Sequence, residues 1–122
     1  MNIHDALKMK VELVELEAAY KSLKAEYRLP AVRRHLASKF RRLIGRLEQL
    51  TLPNDFRSVS RATHLMRRHL YLRCLEASEM LTAPTQTMRS YEETILKNIE
   101  DLFVPFEHFI GACRNYLEEN KL

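Results

Sequence analysis

Apolar residues recur along this chain at three- and four-residue spacing, the period of helices packed on one side. The first stretch, about Ile3 to Tyr27, carries two such stripes. Ile3, Leu7, Val11, Val14, Ala18 and Ala25 lie on one side; Met9, Leu13, Leu16, Tyr20, Leu23 and Tyr27 lie nearly opposite. A helix apolar on two sides is central to a bundle or shared with another subunit. Pro30 ends this helix or opens the next.

A second helix is predicted over about Ala31 to Leu50. Val32, Leu36, Phe40, Leu43, Ile44, Leu47 and Leu50 form one stripe, with Arg34, Lys39, Arg41, Arg42 and Arg46 on the other side. Gly45 sits inside and costs about 1 kcal/mol against Ala, a hint of close helix packing or of a tolerant surface. The Leu52-Pro53-Asn54-Asp55 break offers Asn54 or Asp55 as the next cap.

The third helix is predicted over about Asp55 to Leu81. Phe56, Val59, Thr63, Met66, Leu70, Cys74, Ala77 and Leu81 line one face, and Arg57, Arg61, His64 and Arg68 another. Leu65, Leu72 and Leu75 fall outside the core stripe, which means a contact beyond the monomer or wide burial within it. After the Thr82-Ala83-Pro84-Thr85 turn, a fourth helix begins near Thr85, or at Ser90 if Ser90 and Glu93 form a capping box, and ends near Glu119. Met88, Tyr91, Ile95, Ile99, Leu102, Phe106, Ile110, Cys113 and Leu117 trace its apolar face, and Pro105 kinks or interrupts it. Four helices with short links predict an all-α fold, an up-down four-helix bundle, with residues 1–122 as a single domain.

Composition narrows the chemistry. Two Gly and four Pro are too few for a sheet protein of many turns, and no apolar run approaches the roughly 20 residues of a membrane span. The amino end lacks the pattern of a secretion signal. Cys74 and Cys113, far apart and outside any CxxC, read as buried reduced thiols of a cytoplasmic protein. The histidines (His4, His35, His64, His69, His108) have no metal-ligand spacing, so neither metal nor cofactor is expected. Arg57 and His64 stand at a spacing that resembles the arginine-histidine motif of helical HEPN ribonucleases, with only Ser58 as the polar residue after the arginine. The reading of the whole is non-enzymatic, with that ribonuclease as an alternative.

The net charge of +4 hides a strong asymmetry. Between Arg28 and Arg73 stand twelve basic residues, eleven of them Arg, against only Glu48 and Asp55; the rest of the chain is net acidic. Arginine's planar fork suits phosphate or carboxylate. Arg33, Arg34, Lys39, Arg41, Arg42, Arg46, Arg57, Arg61, Arg67, Arg68 and Arg73 are the candidate nucleic-acid contacts. The alternatives are a solvated surface, or pairing with the acidic outer helices of the same bundle, or a dock for an acidic protein.

The order of these features resembles the accessory variability determinant proteins of diversity-generating retroelements, grouped with the four-helix proteins of ribosomal RNA intervening sequences. Leu29-Pro30 sits where that family has its "FP" turn; the basic pair Arg33-Arg34 opens an amphipathic helix running through Leu43-Ile44-Gly45-Arg46-Leu47. Leu65-Met66-Arg67-Arg68-His69-Leu70-Tyr71-Leu72-Arg73 is similar to its Arg- and Leu-rich third helix, and Ile110-Gly111 to its apolar-Gly step. Ala37-Ser38, where the family often has Gly, and Pro105 depart from the pattern. The resemblance implies a barrel-like homopentamer that binds a reverse transcriptase and its RNA template, accessory to mutagenic cDNA synthesis. A small helical subunit of an RNA-guided effector complex and a structural adaptor are the competing machines.

Overall fold

A computed structural model describes residues 3–29, 35–52, 58–82 and 89–119, with side chains described for 3–29, 35–52, 61–81 and 93–119. The helices are α1 (Ile3–Glu26), α2 (Leu36–Gln49), α3 (Ser58–Thr82), α4 (Arg89–Glu100) and α5 (Phe103–Glu119). No strand occurs among the described residues, so the fold is all-α. The expected contributions of Pro30, Asn54, Asp55, the 83–85 turn and the Ser90 cap lie outside what is described.

The predicted fourth helix exists as two segments, α4 and α5, interrupted at Asp101 and Leu102. Pro105 has no N–H and its ring crowds the carbonyl four residues back, that of Asp101. Asp101 N–H still closes a regular helical turn on the Lys97 carbonyl at 3.0 Å, and the chain then tightens: Leu102 N–H donates to the Ile99 carbonyl, three residues back, at 3.1 Å. The helix then restarts so that Pro105 falls in the first turn of α5, where a missing donor costs nothing.

All five segments feed one apolar core. On α1 the Met9–Leu13–Leu16–Tyr20–Leu23 stripe is buried, and the Ile3–Leu7–Val11–Val14 stripe is exposed. On α2 the whole predicted stripe from Leu36 to Leu50 is buried. On α3 Thr63, Leu70, Cys74 and Ala77 go inside, and Leu75 packs partly against the core. Leu65 and Leu72 remain outside. Ile95, Ile99, Leu102, Phe106, Ile110, Cys113 and Leu117 complete the interior, joined by Leu96 and Phe109, which the single stripe did not include. Helix α1 packs on α2 and α5, and α3 packs on α2, α4 and α5. Gly45 has nothing within 4 Å of where a Cβ would stand, so no close helix approach requires it.

The seam between α1 and the α4–α5 pair is tied by two matching polar rungs. In one, Tyr20 Oη lies 2.9 Å from Glu107 Oε2 and 3.1 Å from the Phe103 carbonyl, and Lys24 Nζ pairs with Glu107 Oε1 at 3.1 Å. In the other, Tyr27 Oη donates to Glu100 Oε1 at 2.7 Å, and Arg28 pairs with the same carboxylate. The rings stack behind them, Tyr20 on Phe106 at 4.8 Å and Tyr27 edge-on to Phe103 at 5.2 Å.

Candidate nucleic-acid interface

The basic block does not form one uniform face. Its members divide by what lies opposite them. On α2, Arg46 Nη1 pairs with Glu15 Oε2 of α1 at 2.6 Å. Lys39 Nζ pairs with Glu26 Oε2 at 2.8 Å and reaches Ser22 Oγ at 3.1 Å. Arg28 is bound to Glu100. These three cations are therefore largely spent on acidic residues of the same chain, as the alternative of pairing within the bundle expects.

Arg67 has a structural task. Its Nη1 donates to the Leu50 carbonyl at 2.8 Å, at the C-terminal end of α2. That end presents unpaired carbonyls and a partial negative charge, which a guanidinium satisfies on both counts. The Thr51 N–H beside it donates to Glu12 Oε1 of α1 at 2.9 Å.

Arg41, Arg42, Arg61 and Arg68 are the exposed remainder. Among the described residues none of the four forms an ion pair; Arg41 donates only to Ser38 Oγ, at 3.3 Å, one turn back. Arg42 borders a groove of about 340 Å³ between α1 and α2, floored by Ala18, Ala19 and Ser22. Arg61 and Arg68 share the outer face of α3 with exposed Leu65 and Leu72, at helical spacing. Arg68 also rims a shallow depression of about 480 Å³ between α2 and α3, lined by Leu47, Glu48, His64, Leu65, Arg67 and Tyr71. A hydrogen bond from Tyr71 to Glu48 crosses it and raises the Tyr71 pKa. Arg73 is half-buried beside Cys74. Arg33, Arg34 and Arg57 lie outside the described residues.

His64 is half-buried at the edge of this depression. Its expected partner in a cleavage motif, Arg57, is not among the described residues. Among the described residues no three His, Cys, Asp or Glu side chains come together as a metal site would need. The two thiols are free and buried, and burial pushes both Cys74 and Cys113 up to about 12, far from the thiolate a nucleophile needs. No described helix is long and apolar enough to cross a membrane.

Sequence reasoning located the four exposed arginines through their spacing. It missed the division within the block, because Glu15, Glu26 and Glu100 reach the cations only through tertiary packing. No protein-family model, curated protein or solved structure matches the chain.

Proposed function

We propose that this chain is a non-enzymatic, RNA-associated bundle of up-down topology that binds phosphate through the outer faces of α2 and α3. The topology is supported by the crossings. Glu15 meets Arg46 where Glu26 meets Lys39, Tyr20 meets Glu107 where Tyr27 meets Glu100, and Leu50 meets Arg67 where Glu48 meets Tyr71. In each pair, numbers rise on one helix as they fall on the other. The binding reading is carried by one observation: Arg41, Arg42, Arg61 and Arg68 are exposed and free of ion pairs among the described residues, on two adjacent helices. Such guanidinium groups neutralise phosphates, release counterions and read little sequence. Specificity then comes from RNA shape or from a protein partner. A reverse transcriptase with its RNA template is the partner class that the family resemblance supplies. A cytoplasmic setting agrees with the two free thiols.

The test is RNA binding by Arg42→Glu/Arg61→Glu/Arg68→Glu, compared with the wild type across a salt series. Each lost phosphate contact lowers the slope of log affinity against log salt by about 0.7 for single strands. The triple variant is expected to lose binding while keeping its helical circular dichroism. A folded triple variant with undiminished affinity removes this face from consideration.

One observation favours a second reading. Leu65 is 61% exposed and Leu72 is 52% exposed, interleaved with Arg61 and Arg68. An alternating Arg-Leu strip also suits an acidic amphipathic helix of a protein, whose apolar side would cover the two leucines. Leu65→Ser/Leu72→Ser leaves phosphate binding unchanged under the first reading and abolishes partner binding under the second.

A further inference from the structure

The outer stripe of α1 is apolar, exposed and regularly spaced. Leu7, Val11, Val14 and Ala18 alternate four- and three-residue steps, the spacing of a coiled-coil seam. Leu7 is 53%, Val11 60% and Val14 66% exposed, and Ile3 extends the strip at 69%. From Leu7 to Ala18 the seam is about 18 Å long. The opposite side of α1 is fully used by the core, so this second stripe contributes nothing to the fold of one chain.

We propose that this stripe pairs antiparallel with the same stripe of a second copy, giving a two-fold dimer. Self-complementarity decides both the occupant and the direction. With a two-fold axis beside the helix between Glu12 and Leu13, Val11 faces Val14 of the other copy, and Leu7 faces Ala18. Each layer then sets a large residue against a small one or two of equal size, which fills the seam evenly. The flanking charges match as well. On the side toward α2, Lys8 meets Glu15 of the other copy; on the side toward α5, Lys10 meets Glu17. Symmetry doubles each pair, so four attractions flank the seam. Glu15 uses Oε2 for Arg46 and keeps Oε1 for the incoming lysine. Glu17 already gathers Lys21, at 3.0 Å, and Arg114, and Lys10 of the other copy extends that cluster. A parallel pairing stacks Leu7 on Leu7 and Ala18 on Ala18, and its cross-helix contacts leave only Lys10 with Glu15, twice by symmetry. An isologous seam of this kind closes after two subunits, whereas a five-membered ring needs two different patches meeting head to tail. The proposal does not rest on the nucleic-acid reading; the seam meets the arginine face only at Ala18, which floors the groove that Arg42 borders.

The experiment is light scattering of nuclease-treated, RNA-free protein at concentrations up to about 100 µM, where a contact of micromolar strength is saturated. The wild type is expected at twice the 14.4 kDa chain mass. Val11→Glu/Val14→Glu is expected at one chain mass with unchanged helicity, because both positions are exposed in the monomer. Glu15→Lys is expected to weaken the dimer, and Lys8→Glu/Glu15→Lys to restore it. Direction is read by mixing Val11→Cys protein with Val14→Cys protein under mild oxidation, which yields a mixed disulfide faster than either protein forms one with itself. A monomeric wild type, an assembly of any size that survives the double Glu substitution, or disulfides favouring like with like each overturns the proposal.

Discussion

Two carboxylates show most clearly how single side chains hold this fold together. Glu107 accepts from Lys24 and Tyr20, and these hydrogen bonds hold its pKa below the usual carboxylate range. Tyr27 and Arg28 do the same for Glu100. The partners respond in the opposite sense: burial, then the Glu107 hydrogen bond, raises the Tyr20 hydroxyl. A carboxylate with a depressed folded pKa contributes stability that is fully present above its unfolded value, near 4.3, and is lost as pH falls through the folded one. Stability is therefore expected to fall as pH drops below about 4. Glu107→Gln should flatten that acid limb, as measured by denaturant titrations between about pH 5 and pH 2. An acid limb as steep as the wild type's would mean that the Glu107 rung does not titrate with folding. Neither rung was legible in the sequence. Tyr20 and Tyr27 read only as members of an apolar stripe, because their acceptors lie more than seventy residues away.

Among the elements, α2 was the most legible. Its seven-residue stripe is apolar, its other side is basic, and every predicted core position that is described proves buried. The last helix was less so. Leu96 and Phe109 escaped the single stripe because this part of the chain packs against both α1 and α3, so its buried arc is wider than one row of residues. The interruption came four residues before Pro105, where the crowded carbonyl is, and its exact place depends on where the helix can restart. Gly45 admits a simple test. The space around it is open and it sits inside α2, so Gly45→Ala should stabilise the protein by about 1 kcal/mol. Thermal or denaturant unfolding measures this directly, and a destabilised variant would mean that something other than open solvent faces that position.

For the whole molecule, the legible part was the all-helical class and the location of positive charge. The portion of that charge left free was not, since Lys39, Arg46 and Arg28 are claimed by acids that packing alone brings to them. The two rungs between α1 and the final helices have one further consequence, for the order in which the chain folds. They join residues 73 and 87 positions apart, whereas the α1–α2 ion pairs span 13 and 31. Closing a long loop costs entropy before any contact rewards it, so near-neighbour pairings precede distant ones. The α1–α2 pair then belongs to the early nucleus, and docking of α5 onto α1 comes late. Tyr20→Phe, which removes a hydroxyl hydrogen bond worth about 1 kcal/mol, should speed unfolding about fivefold and leave the folding rate nearly unchanged. Stopped-flow chevrons resolve the two limbs, and a slowed folding limb would place that tyrosine in the nucleus. On this order of events, the final helix is the part of the protein that lets go first.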